Sequence, residues 1–234
     1  MIARRNLYFV LTAALLLGAA PASYGAGKGK PKADPELDGL VWKPFIMQPG
    51  EYFKYELIDY THAKKPVKGW VSVQVRGKDD GRFEVVWEGE SADEKKQSVT
   101  TLEKPERLVE MSRPALIRLP AGAPFTGAVL LLYWERMAGF KWNVGANWSV
   151  VLEEMVPMGF VVKVDDYCTV AGHKGFKSRM LAGKVITNTS CISPKIPLPL
   201  QVRVNDTKNK PRYEARLLEY RPAPATPAGN PVKG

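Results

Sequence analysis

The stretch Trp70-Val71-Ser72-Val73-Gln74-Val75-Arg76 decides the fold class. Val71, Val73 and Val75 fall on one side of an extended chain, and Ser72, Gln74 and Arg76 fall on the other. A period of two marks a strand with one face in a core and one in water. The same pattern recurs outward in both directions. Phe53, Tyr55 and Leu57 alternate with Lys54 and Glu56, and Phe83, Val85 and Trp87 alternate with Glu84 and Glu88. Towards the C-terminus, Leu200, Val202 and Val204 alternate with Gln201 and Arg203, and Tyr213, Ala215 and Leu217 with Glu214 and Arg216.

Turn residues separate these runs: Lys78-Asp79-Asp80-Gly81, Ala182-Gly183-Lys184 and Asn205-Asp206-Thr207. Short strands at hairpin spacing predict an antiparallel sheet, curled or folded over itself. Helix signals are thin. The charged stretch Ser91 to Met111 is interrupted by Val99-Thr100-Thr101 and by Pro105, residues that disfavour a helix interior. Arg113 to Phe125 holds Pro114, Pro120 and Pro124 and reads as an irregular lid over the sheet. The expected fold class is therefore all-β or β-dominated: an antiparallel curved sheet or incomplete β-barrel with irregular lid segments.

The first residues carry an export signal. Arg4 and Arg5 precede the apolar run Leu7 to Leu17, and Ala20-Pro21-Ala22 fits a small-x-small cleavage site. The run is about 11 residues, short of the ~18–20 that span a bilayer. Ala128-Val129-Leu130-Leu131-Leu132-Tyr133-Trp134 is strand-sized and ends at Glu135-Arg136. The expected organisation is a signal peptide at 1–22, a basic flexible linker at 23–38, one β domain at 39–220 and a Pro/Ala-rich disordered tail at 221–234. Loss of residues 1–22 removes Arg4 and Arg5, lowering the net charge from +10 to +8. That charge serves solubility, and it also permits peripheral contact with an anionic membrane. The short Ala/Leu-rich signal is of the bacterial kind, so the expected location is the periplasm, with secretion as the other outcome.

Cys168 and Cys191 are the two cysteines. Two free buried thiols or a redox pair are alternatives, but the spacing is far from Cys-x-x-Cys. In an oxidising compartment a structural disulfide is the expectation. It would close a loop of about 24 residues, a constraint of ~3 kcal/mol on the chain-entropy estimate.

Catalytic and metal constellations are not evident. His62 and His173 are the two histidines, and neither has further ligands at zinc spacing. There is no Gly-x-Ser-x-Gly elbow. The carboxylate pairs Asp79-Asp80, Glu153-Glu154 and Asp165-Asp166 are neighbours in sequence, so in a strand they point to opposite faces. Gly25-Ala26-Gly27-Lys28 precedes no strand–helix unit and makes no phosphate loop. The sequence gives no grounds for an enzyme, a cofactor or a nucleic-acid partner. Asn147-Trp148-Ser149, Asn188-Thr189-Ser190 and Asn205-Asp206-Thr207 match the glycosylation triplet, which matters only in a eukaryotic source.

The remaining clue is six tryptophans. Two accounts fit them. A curved sheet around an apolar cavity would place Trp70, Trp87, Trp134 and Trp142 as ligand-binding residues for an acyl chain. An ordinary packed core with aromatic plugs uses the same residues.

Met47-Gln48-Pro49-Gly50-Glu51-Tyr52-Phe53-Lys54-Tyr55-Glu56 resembles the opening strand of uncharacterised bacterial exported β proteins. Ala171-Gly172-His173-Lys174-Gly175-Phe176-Lys177 and Cys191-Ile192-Ser193-Pro194-Lys195-Ile196-Pro197-Leu198-Pro199-Leu200-Gln201-Val202 resemble their later part. That order is similar to domains of unknown function related in fold to periplasmic lipoprotein carriers of the Lol type. The resemblance covers roughly Gln48–Glu56 and Gly172–Tyr220. It implies a curved, incomplete barrel whose concave face accepts a lipid or a partner. Prolines in the Ser193–Leu200 stretch remove ladder donors, which makes it an edge or a crossover. Two functions follow as expectations: an exported, non-catalytic envelope protein holding a lipid or other apolar ligand, or an interaction component docking on an envelope protein partner.

Overall fold

The computed structural model describes residues 32–41, 48–62, 65–91, 94–102, 139–152 and 158–224. Ten strands carry the fold: β1 Tyr52–Asp59, β2 Val67–Gly77, β3 Phe83–Ser91, β4 Glu94–Leu102, β5 Asn147–Leu152, β6 Met158–Val170, β7 His173–Ala182, β8 Val185–Ile192, β9 Gln201–Asn205 and β10 Pro211–Arg221. They form one sheet in the order β4-β3-β2-β1-β10-β9-β8-β7-β6-β5. Every pairing is antiparallel. Two meanders, β1–β4 and β5–β10, are joined where β10 pairs with β1. The fold is all-β, an open sheet not closed into a barrel among the described residues.

The alternation read from sequence sets the faces. On β1, Phe53, Tyr55 and Leu57 are buried, while Lys54 and Glu56 between them are partly open. Across the ladder, Val73 lies opposite Phe53 and Val71 opposite Tyr55 on β2. Tyr220, Leu217 and Ala215 lie opposite Phe53, Tyr55 and Leu57 on β10. Because paired positions share a face, the buried residues of eight strands, β1–β3 and β6–β10, add to one core. Val85, Trp87, Val162, Val164, Phe176, Met180 and Val202 extend it.

Two segments outside the strands cap that core. The β8–β9 connection, Ser193–Leu200, buries Ile196, Leu198 and Leu200, and its Pro199 carbonyl accepts a hydrogen bond from the buried Tyr55 hydroxyl at 2.9 Å. It is a loop between two neighbouring antiparallel strands, not a crossover or an edge strand, and its prolines keep it out of the ladder. The second cap revises the expected linker at 23–38. Residues 34–38 are docked: Leu37 is 1% exposed, the Asp34 amide donates to the Tyr167 hydroxyl at 3.0 Å, and that hydroxyl donates to Asp38 at 2.6 Å.

The sheet is strongly curled at one end. The His173 ring at the start of β7 meets the Tyr220 ring near the end of β10, with centroids 5.7 Å apart. Three inter-strand steps separate β7 from β10, about 14 Å in a flat sheet. The signal peptide at 1–22, the lid at Arg113–Phe125 and most of the tail at 221–234 lie outside the described residues.

Candidate functional site

The centre of the core face, on β1 and β2, is buried. Phe53, Tyr55, Leu57, Val71, Val73 and Val75 are each no more than 2% exposed. Burial at that level marks them as the packed centre of the core. Trp87 lies in the same cluster on β3, opposite Val73. Its indole N–H is buried and has no hydrogen-bond partner. A buried donor left unmade costs about 1–3 kcal/mol, so this nitrogen is an irregularity of the β3 region.

Trp142 occupies a different part of the core. It is fully buried, packs edge-on against Trp148 with centroids 4.9 Å apart, and tilts against Phe176 at 5.6 Å. Phe140 stacks on Trp148 at 5.2 Å, and Tyr167 extends the group to Phe176. The backbone of Trp142 exchanges hydrogen bonds with Leu40 and Gly39. This aromatic group is therefore what holds the N-terminal segment, with Lys174 reaching Asp34 at 3.1 Å and Glu36 at 3.2 Å. The sequence reading missed this role, because Tyr167 and Asp38 lie 129 residues apart.

The other named tryptophans are placed apart from these. Trp70 is out of phase with Val71, Val73 and Val75 and lies on the opposite face, between Glu56 and Glu90. Its N–H donates to Glu90 at 3.3 Å, and the Lys54 ammonium sits 4.8 Å from its ring. Trp134 lies outside the described residues. The structure brings Trp87 and Trp142 into one core and sets Trp70 on the other side of the sheet.

Cys168 and Cys191 form a disulfide. Titratable side chains in the interior are engaged in structural bonds. Glu214, buried on β10, accepts from Tyr60, Gln201 and Arg203, and Asp59 accepts from Thr61. Glu51 accepts from the Gln48 amide at 2.8 Å and from the Tyr220 hydroxyl at 3.2 Å. Burial pushes the Glu51 carboxyl above its ordinary range, against the pull of those two donors. Burial, followed by the Glu51 charge and hydrogen bond, pushes the Tyr220 hydroxyl up to about 12. Burial alone raises Tyr55 well above an ordinary phenol. Among the described residues no three His, Cys, Asp or Glu side chains gather as metal ligands. His62 lies 3.6 Å from Asp59 at the surface, and His173 faces the Tyr220 ring. No helix among the described residues is long and apolar enough to cross a membrane. The carboxylate pair Glu153-Glu154 lies outside the described residues.

No protein-family model matches the sequence, and no curated protein matches it. Solved structures of similar shape include MucB, at 9% identity and TM-score 0.41, covering 77% of this chain and 56% of MucB. The MucA/MucB complex of Pseudomonas aeruginosa matches at 11% identity and TM-score 0.38, covering 74% of this chain and 53% of the matched one. A protein with a YmcC-like fold from Bacteroides fragilis matches at 10% identity and TM-score 0.34, covering 77% of this chain and 100% of that one. The match thus spans little more than half the length of MucB, and a likeness of this size carries no partner or activity across.

Proposed function

We propose that the protein is an exported, non-catalytic interaction protein of the bacterial envelope, a rigid sheet that works through its outer surface. The observation that carries this reading is the closed apolar face: six residues at its centre, from Phe53 to Val75, are at most 2% exposed. A closed interior favours a scaffold over a container. The export signal read at Met1–Ala22 and the Cys168–Cys191 disulfide support a location in an oxidising compartment. The buried acids that hold hydrogen bonds between strands support a structural use of titratable groups.

Titration with phospholipid whose acyl chains carry bromine tests the reading by tryptophan fluorescence. Saturable one-site quenching would contradict it, because it would place an acyl chain against buried Trp87 or Trp142. No quenching up to the concentration at which the lipid aggregates is the expected result.

A second reading has its own observation. The unpartnered Trp87 N–H favours an apolar ligand that brings a carbonyl oxygen, such as an acyl ester, as in the lipoprotein-carrier resemblance. In that case Trp87→Phe would weaken binding about fivefold, the worth of one ordinary hydrogen bond.

A further inference from the structure

The two ends of the sheet are charged differently. At the end that carries the β2–β3 and β6–β7 turns, four basic side chains are paired with acids, while Arg76 on β2 and Lys195 in the β8–β9 connection are exposed. Lys78 reaches Glu84 at 2.6 Å, Arg82 reaches Asp80 at 2.6 Å, Lys174 reaches Asp34 and Glu36, and Arg221 reaches Glu219 at 3.1 Å. The opposite end collects the β1–β2, β7–β8 and β9–β10 connections. There Lys65, Lys184, Lys208, Lys210 and Arg212 are all exposed, and none has an ion pair among the described residues.

Hydrogen bonds lace these three connections into one tip. The Ile186 amide donates to the Asn209 side chain at 2.9 Å, the Asn205 side chain donates to the Ile186 carbonyl at 3.2 Å, and the Tyr60 amide donates to the Arg212 carbonyl at 2.8 Å. Acids are sparse on it. Asp59 is buried and bonded to Thr61. Asp206 accepts the Lys208 and Lys210 amides at 2.8 and 2.9 Å; those bonds, with the charges of Arg212 and Lys210, hold its carboxyl below the ordinary range. Asp93 and Glu153-Glu154, in the neighbouring connections, lie outside the described residues.

We propose that this basic tip docks the protein on anionic phospholipid headgroups of an envelope membrane. Four of the five charges are lysines on flexible stems at turn tips. Lysine is a compact point charge without the fixed bidentate fork of arginine, so this arrangement fits a plane of many phosphates better than one shaped anion. The contact is superficial and electrostatic, and falls off within a screening length of about 8 Å at physiological salt. It goes beyond the function proposed above, which needs no lipid.

Cosedimentation of the purified protein with vesicles tests it. Vesicles of phosphatidylcholine with about one-third phosphatidylglycerol are compared with pure phosphatidylcholine, at about 50 mM and about 0.5 M salt. Binding to the anionic vesicles at low salt, at least about tenfold weaker at high salt or on neutral vesicles, is expected. A variant with Lys65, Lys184, Lys208, Lys210 and Arg212 all changed to Gln should lose at least that factor. A control with Lys141, Lys163, Lys177, Lys195 and Arg216 changed to Gln carries the same net charge and should bind nearly as the parent does. Matching thermal unfolding of the two variants establishes that both are folded. Equal loss in both, equal binding to neutral vesicles, no binding at all, or a tip that is retained only by an acidic protein would overturn the proposal.

Discussion

Cys168 on β6 and Cys191 on β8 are bonded across β7, with Cα atoms 6.0 Å apart. In a flat sheet, strands two steps apart lie about 10 Å from each other. Gly175 on β7, directly opposite Cys168, is where the extra curl is accommodated. A Cβ on Gly175 would lie 2.6 Å from the Ile192 carbonyl oxygen and 2.8 Å from its carbon. Those are backbone atoms that cannot rotate away.

Gly175→Ala should therefore destabilise the protein by ~1–3 kcal/mol, the usual range for overpacking. Urea unfolding at neutral pH reads the change as a lower midpoint at unchanged slope. The paired change Cys168→Ala with Cys191→Ala should cost ~3 kcal/mol through the lost chain constraint. Wild-type stability for Gly175→Ala would contradict the close approach.

Leu37 should behave as a core residue although it stands in a stretch that reads as linker. Leu37→Ala should cost ~2–4 kcal/mol, the range for truncating a buried leucine. Proteolysis of the folded variant near residues 34–41 should also become faster, since only the polar contacts to Tyr167, Lys174 and the Trp142 backbone would then hold that segment. An unchanged unfolding midpoint would mean that the segment is not part of the domain.

Tyr55→Phe removes the buried hydroxyl that reaches the Pro199 carbonyl. The expected loss is ~1–2 kcal/mol, because a buried acceptor loses its donor while the ring packing is kept. The measured quantity is again the unfolding midpoint, and no change would show the β8–β9 connection to be held by Ile196 and Leu198 alone.

Five strands were legible from alternation: β1, β2, β3, β9 and β10 each put apolar residues at every second position. The others were hidden for physical reasons. β7 and β8 bury polar residues in the middle of the core face, where Ser178 and Ser190 share a 3.0 Å hydrogen bond and Asn188 is buried. Paired hydroxyls satisfy each other but erase the apolar contrast on which periodicity rests. β6 carries a register shift between Val164 and Asp166, so its buried set changes phase. β4, Glu94–Leu102, has a lysine-rich start and lies at the end of the strand order, where an apolar face is least required. Of the candidate site, the phase of Trp70 against Val71, Val73 and Val75 already set it on the other face, and Trp87 shares the phase of Val85. The roles of Tyr167, Asp38 and Leu37 arise from contacts across more than a hundred residues and left no local trace.

Glu51 gives a pH dependence with a definite sign. Its folded-state pKa is raised by burial, so the folded protein holds the proton more tightly than the unfolded chain. The corresponding stability is present below the ordinary carboxyl pKa, about 4.3, and is lost as pH rises through the raised folded value. Glu51→Gln keeps an acceptor for the Gln48 amide and cannot ionise. The variant should gain stability relative to wild type as pH rises from 4 to 7. A difference that is constant over that window would contradict the buried placement of this carboxyl.

The central claim is that the protein acts through its surface and not as a container. Native mass spectrometry of the protein taken from its own envelope in mild detergent tests it most directly. The account predicts a chain without bound lipid, accompanied by a stoichiometric protein partner. A single chain that carries one lipid mass, retained until the protein unfolds, would contradict it.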